Sequence, residues 1–312
     1  MRSYRNSFQY KMATGRWTLP VAILVSLAVW GSTADAWTHV GALFSCAFIA
    51  YLLIELNTRF SLIRTRTALP SSLFLLSYVT LPFLNADGLE AVFPPLFLLL
   101  LFSLFGSYES PRAPVAVFHA FLCLGLMSLA DAYYCYLLPV LYLSMCILRS
   151  FSARTFFAGL VGMCLPYWLC WGVSTYLHDY AFLYGCLHRL TAFSPIHYSQ
   201  LPLNVCLSWA VEVLVAWVTG IHVYRSSYKE KVQTRVMLHV VLAMEVGIHL
   251  LLLLQPVHFN SLMSIQILLA ALTTSYMLSL TFTRYTRWVT AVLVTVWCLL
   301  CLMKLWMHFF SF

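Results

Sequence analysis

Long apolar segments separated by short polar breaks run along almost the whole chain. Eleven of these segments are long enough for a helix to cross the roughly 30 Å of hydrocarbon in a bilayer. Because lipid offers the backbone no hydrogen-bond partner, each segment is predicted to be α-helical. The predicted spans are residues 18–34, 37–56, 69–86, 91–107, 113–130, 132–148, 155–176, 202–224, 236–255, 261–282 and 288–309.

This pattern predicts an all-α fold, a polytopic transmembrane helix bundle of about eleven spans. We expect a single integral membrane domain over residues 1–312, in which a basic segment, 1–17, precedes the first span. The longest outer connection, 177–201, has room for a cap or an interfacial helix. The break at Asp131 is very short, so this hairpin is alternatively a re-entrant element, which leaves nine full spans.

The composition supports a membrane protein. Hydrophobic residues make up 62% of the chain and charged residues 9%, whereas an ordinary soluble domain is about one quarter charged. A soluble chain of 312 residues has no interior large enough to hold that much apolar surface. The excess must therefore face lipid.

The basic residues predict an orientation. With the N-terminus in the cytoplasm, 16 of the 18 lysines and arginines fall in cytoplasmic segments, and only Arg189 and Lys304 do not. An excess of Lys and Arg on the cytoplasmic side is the usual orientation signal. We therefore expect a multi-pass protein of the inner (plasma) membrane. The net charge of +8 is interpreted in the same way, and no nucleic-acid partner is predicted.

Two glutamates lie near the middle of neighbouring predicted spans. Glu212 is ten residues into the segment 202–224, and Glu245 is nine residues into 236–255. A charged side chain at that depth costs about 2.5–3.5 kcal/mol on insertion scales, and such residues usually face a bundle interior or a cavity. We expect each carboxyl group to be protonated or to share a proton.

Polar neighbours extend this pair into a predicted intramembrane site. Asn204 and Ser208 precede the first glutamate at four-residue intervals, Thr219 lies on the same helical face, and His249 lies one turn beyond the second glutamate. One hypothesis is a midplane site for a proton or a substrate. The alternative is that the acids are protonated and only hold helices together.

A second candidate site lies at the predicted outer face. Arg189 occupies the longest outer connection together with His178 and His188, and Lys304 is expected near the outer end of the last span. Cationic side chains of this kind bind phosphate, so they are candidates for an anionic lipid such as a polyprenyl-phosphate carrier. Alternatively, Lys304 extends to the interface and Arg189 pairs with Asp179.

Evidence for catalysis in the sequence is weak. Asp35, Asp131 and Asp179 are weak candidates for a general base acting on a sugar hydroxyl. No metal is predicted, because the outer histidines lack a tight ligand spacing, and the pair Cys298 and Cys301 is interpreted as packing inside an apolar segment. There is no P-loop or dinucleotide-binding motif, so no cofactor is predicted.

Five short segments carry a resemblance to known proteins. They are residues 54–57, 64–70, 125–130, 148–154 and 159–168. In this order they resemble an uncharacterised family of Bacteroidetes polytopic inner-membrane proteins. They are also faintly similar to polyprenyl-dependent membrane glycosyltransferases and polysaccharide polymerases. The resemblance implies a role in the cell envelope.

We therefore weigh three functional hypotheses. The first is a component of envelope glycan or lipid-linked precursor handling, with or without catalysis of its own. The second is a proton-coupled transporter or channel that uses Glu212 and Glu245. The third is a structural or assembly subunit of a membrane complex, in which the buried acids only fix helix packing.

Overall fold

The computed structural model describes residues 8–33, 40–80, 91–110, 113–191, 203–255 and 259–310. Within these ranges the regular structure is helical, with a few short 3-10 turns between α-helices. The α-helices are α1 (Phe8–Thr14), α2 (Thr18–Thr33), α3 (Val40–Phe60), α4 (Leu69–Thr80), α5 (Phe93–Phe105), α6 (Pro114–Ala130), α7 (Leu138–Ile147), α8 (Ala153–Leu177), α9 (Ala181–Thr191), α10 (Leu203–Ser226), α11 (Val232–Leu254), α12 (Phe259–Leu280) and α13 (Arg284–Phe310).

The helices agree with the apolar pattern of the sequence. Each of the eleven predicted spans overlaps one of them, and the segment 132–148 contains a 3-10 helix, Ala132–Leu137, that leads directly into α7. The prediction of an all-helical membrane protein is confirmed. Within the longest predicted connection the chain forms a further helix, α9.

Helix length separates the spans into two groups. Six helices in the described ranges are long and apolar enough to cross a membrane, and α1 with α2 makes a seventh if this pair, bent by 86°, is one span. Four apolar stretches of 10–17 residues include α4 and α5. Because α5 has 13 residues, it rises only about 20 Å, less than the hydrocarbon thickness. The count of eleven crossings stays a prediction.

The chain divides into two compact units. Unit 1 comprises Met1–Ala91, Ser199–Thr234 and Gln266–Phe312, and unit 2 comprises Val92–Tyr198 and Arg235–Ile265. The single membrane domain expected from the sequence stays a prediction.

Close packing of α6 against α8 characterises unit 2. A Cβ atom added at Gly162 would lie 2.5 Å from the carbonyl oxygen of Phe118, and one at Gly125 would lie 2.8 Å from the carbonyl oxygen of Met163. Glycines at these positions let the two backbones approach more closely than any larger residue would allow. Both glycines belong to the segments that carry the family resemblance, and their role here is structural.

Local hydrogen bonds define the two ends of α8. Ser152 and Thr155 form a reciprocal capping box at its start, in which the Ser152 backbone N–H donates to Thr155 Oγ1 over 2.8 Å. At the other end His178 adopts a left-handed conformation, with φ of 54°, and its N–H donates to carbonyl groups of the last turn. Pro166 lies inside the helix, where it removes one backbone donor.

The short helix α1 caps α12 in unit 1. Gln9 is 1% exposed, and its Nε2 donates to the carbonyl oxygens of Leu278 (2.8 Å) and Thr281 (2.7 Å). Thr286 Oγ1 donates to Gln9 Oε1 over 3.3 Å. The last carbonyl groups of a helix have no partner within it. Gln9 therefore satisfies two acceptors at the C-terminal end of α12.

Candidate functional site

Buried polar side chains follow one face of α10 in unit 1. Ser208, Glu212 and Thr219 are 0%, 5% and 1% exposed, and His222 is partly buried. Intervals of three, four and seven residues place them on the same side of the helix. We call these four residues the polar column. The first three were predicted from the sequence as one site, whereas His222 was not included.

Glu212 is the acidic member of the polar column. Its side chain hydrogen-bonds with the hydroxyl group of Ser77 on α4. Two other α4 hydroxyl groups donate to backbone carbonyls. Ser71 donates to the carbonyl of Ala50 (2.7 Å), and Ser72 donates to that of Ala68 (3.0 Å). A carboxyl group buried among apolar side chains is costly unless it is hydrogen-bonded. Ser77 supplies such a bond.

Thr219 links α10 to α12. Its Oγ1 atom lies 3.2 Å from Oγ1 of Thr273, and both side chains are buried. Each hydroxyl group also lies within hydrogen-bonding distance of a carbonyl of its own helix, at Val215 (2.8 Å) and Ala270 (3.1 Å). A hydroxyl group donates once and accepts twice. A hydrogen bond between the two threonines therefore requires one of them to donate to the other rather than to the carbonyl of its own helix.

His222 forms the end of the polar column nearest the C-terminus of α10. Its Nε2 atom lies 3.0 Å from Oγ1 of Thr281, the residue that follows α12. Ten residues separate it from Glu212, a rise of about 15 Å along the helix. Carboxyl and imidazole side chains in a buried row are typical of proton relays in membrane proteins. Glu212 and His222 are the two members of the column that can bind and release a proton.

The remaining residues of the predicted intramembrane site lie elsewhere or outside the described atoms. Glu245 and His249 are buried on α11 in unit 2, at 4% and 6% exposure. The His249 Nδ1 atom donates to the backbone carbonyl of Glu245 over 2.8 Å. Asn204 belongs to α10, but its side chain is outside the described part. The shared depth of the two glutamates stays a prediction.

The residues of the predicted outer anion site are dispersed along the chain. His188 and Arg189 are exposed on α9, and Arg189 Nε donates to the Gly185 carbonyl of the same helix over 3.2 Å. His178 is the C-cap of α8. Lys304 belongs to α13, and its side chain lies outside the described atoms. A common phosphate site formed by these residues stays a prediction.

Two of the three candidate catalytic aspartates accept hydrogen bonds from neighbouring groups. Asp131 follows α6 in an extended conformation, and Ser261 Oγ donates to its Oδ2 over 3.3 Å. Asp179 Oδ1 accepts from the backbone N–H of Ala181 over 2.9 Å, which orients the start of α9. Asp35 lies outside the described residues.

Sequence reasoning missed a buried acid between α10 and α11. The side chain of Glu230 is 3% exposed, and its Oε1 lies 3.0 Å from Arg64 Nη2 and accepts from the Tyr276 hydroxyl over 3.3 Å. Its neighbours in sequence, Lys229 and Lys231, are typical of a solvated loop. The sequence therefore gives no sign that Glu230 is buried against Arg64. The pair ties the α3–α4 connection to the α10–α11 connection within unit 1.

Comparison with known proteins gives no relative for this chain. No family model, curated protein or solved structure matches it. The functional argument therefore depends on the geometry of the polar column and its surroundings.

Proposed function

We propose that this chain is a proton-translocating membrane protein, of the channel or transporter class, in which Glu212 is the proton-binding group. The observation that carries the proposal is the polar column, in which Glu212, Thr219 and His222 lie on one face of the same helix. A polar residue that only holds two helices together needs a single hydrogen-bond partner at its own depth in the bundle. Here polar groups recur over about 15 Å.

The proposed topology gives this path a direction. We propose eleven crossings of the inner membrane with the N-terminus in the cytoplasm, supported by the eleven overlapping helices and the placement of 16 of the 18 basic residues. The C-terminal end of α10, next to Arg225, then faces the cytoplasm. Protons enter near His222, pass the Thr219–Thr273 pair and reach the Glu212 carboxyl group, which Ser77 orients.

Proton flux in liposomes tests this function. The full chain is reconstituted, a potassium diffusion potential is imposed, and the internal pH is followed with a trapped dye. We expect flux above that of protein-free liposomes, and we expect Glu212→Gln to abolish it. Glu55→Gln is the matched control, because it makes the same chemical change at an exposed glutamate of α3 in the same unit. Equal flux in wild type and Glu212→Gln, or no flux at all, contradicts the proposal.

A second candidate function is the handling of a lipid-linked envelope precursor. It is supported by an apolar cavity in unit 1, between α2, α3 and α4. Deletion of the gene in the native host tests it, with the envelope glycan profile as the readout. Under this function Arg189→Ala or Asp179→Asn alters the profile and Glu212→Gln does not. A normal profile in the deletion strain removes this candidate.

A structural or assembly role is the outcome in which both tests fail. The buried acids then only hold helices together, and the protein purifies with other membrane subunits. Under this outcome Glu212→Gln changes the stability of the chain or its association with those subunits, but neither proton flux nor envelope glycans.

A further inference from the structure

A cavity of about 340 Å³ lies between α2, α3 and α4. All of its lining residues belong to unit 1. Along α2 they extend from Leu19 to Trp30, a distance of about 16 Å at the rise of an α-helix. A volume and length of this order suit an extended hydrocarbon chain or a flat ring system with a short tail.

The cavity opens toward the outer surface of the three helices. Leu27 and Tyr51 line it and are 46% and 61% exposed. In a membrane-embedded chain this surface faces lipid, so hydrocarbon is the medium at the opening. A ligand therefore enters sideways from the bilayer.

One buried polar group in the lining has no partner among the described residues. The hydroxyl group of Ser26 is 7% exposed, and no described residue forms a hydrogen bond with it. Ser26 lies close to the midpoint of α2, seven residues from Leu19 and four from Trp30. A buried donor without an acceptor is unfavourable. An acceptor oxygen on a bound molecule would satisfy it.

We propose that this cavity binds a lipid whose carbonyl oxygen accepts a hydrogen bond from Ser26. The ligand class is a hydrocarbon-tailed carbonyl compound, either a prenylated quinone or an acyl ester. Trp30, Tyr51 and Tyr78 in the lining provide flat aromatic faces and amphipathic tips for such a molecule. The inference is independent of proton translocation, and it assigns the cavity a carbonyl lipid rather than a polyprenyl carrier.

Lipid titration of the purified, delipidated chain tests the site. The probes are a short-chain prenylated naphthoquinone, dioleoyl phosphatidylglycerol and a polyprenol that lacks a carbonyl group, each followed by native mass spectrometry. Ala47→Trp adds an indole ring at an exposed residue of the cavity lining, whereas Phe48→Trp places an indole ring at the adjacent exposed position, which does not line the cavity. We expect a carbonyl lipid to bind the wild type and Phe48→Trp but not Ala47→Trp.

The second variant tests the hydrogen bond itself. Ser26→Ala is expected to weaken binding of the carbonyl lipid about tenfold, equivalent to about 1.4 kcal/mol, and to leave polyprenol binding unchanged. Binding of the naphthoquinone identifies the ligand as a quinone, whereas binding of the phosphatidylglycerol identifies it as an acyl ester. Any one of three results overturns the proposal. They are equal binding by Ala47→Trp and Phe48→Trp, unchanged binding of the carbonyl lipid by Ser26→Ala, and a preference of the wild type for polyprenol. Glu212→Gln should bind lipid normally, so failure here is distinct from failure of the proton proposal.

Discussion

The interiors of the two units are held together by different interactions. In unit 2 the contact between α6 and α8 depends on glycines, and the aromatic rings of Phe121, Tyr142 and Phe156 pack in a continuous cluster beside it. In unit 1 several contacts between helices add hydrogen bonds made by hydroxyl and amide groups to the apolar packing, and a cavity remains between three helices.

This difference reflects two solutions to one physical problem. Lipid is as apolar as leucine, so helices in a membrane gain little from burying apolar side chains against each other. Small residues that allow close backbone approach are one solution, and polar side chains that bond across the interface are the other. Close packing leaves little space for ligands or protons. Unit 1 has both polar groups and space, which is why we place the function there.

The largest expected effect concerns the glycine contact of unit 2. Gly162→Ala places a methyl group where only 2.5 Å is free, against a backbone atom that has little room to move. We expect a loss of about 3 kcal/mol in the free energy of unfolding, near the upper end of overpacking costs. The measurement is a denaturation curve of the purified protein in detergent.

Gly172→Ala provides the matched control for this prediction. It lies on the same helix, and in the described part of the chain no atom beyond that helix's own backbone lies within 4 Å of the added methyl group. Because alanine is the better helix former, this variant should be unchanged or more stable by about 1 kcal/mol at most. Equal stability of the two variants would show that α6 and α8 do not pack closely through Gly162.

A smaller loss is expected when α1 is released from α12. Gln9→Ala removes a donor from the carbonyl groups of Leu278 and Thr281, of which the second keeps its bond from Thr286 Oγ1, at a cost of about 1–3 kcal/mol. The apparent melting temperature in detergent measures it. Phe8→Ala is the control, because Phe8 is 64% exposed. An equal effect of both substitutions would rule out the capping role of Gln9.

The smallest effect concerns the cross-helix bond of the polar column. Thr219→Val preserves the shape of the side chain and removes its hydrogen bond with Thr273, and such bonds between membrane helices average about 0.6 kcal/mol. Thr295→Val is the control, since that hydroxyl group bonds within its own helix, to Ala291. We expect a small loss of stability in the first variant together with reduced proton flux. Unchanged flux would exclude Thr219 from the path.

The sequence predicts the helices well because their signal is local. An apolar run with polar breaks is visible without any knowledge of neighbouring helices, and each predicted span overlaps a helix. Helix α1 was missed, since it has only seven residues and docks through Gln9 onto residues about 270 positions away. Contacts at such separation leave no periodic trace in the sequence.

The candidate site was predicted in part for the same reason. The four-residue intervals around Glu212 reveal one polar face of α10, and this information is local. The partners Ser77, Thr273 and Thr281 belong to other helices, and the choice of partner depends on how helices are arranged in space. The unpaired hydroxyl of Ser26 was invisible for the same reason, because serine is common in apolar segments.

The account depends most directly on the claim that the functional acid is Glu212 in unit 1. Proton flux should therefore be compared in liposomes that contain equal amounts of folded Glu212→Gln or Glu245→Gln protein. We predict that the first variant loses flux and that the second, whose glutamate lies in unit 2, retains it. Loss of flux in Glu245→Gln together with wild-type flux in Glu212→Gln would contradict the account.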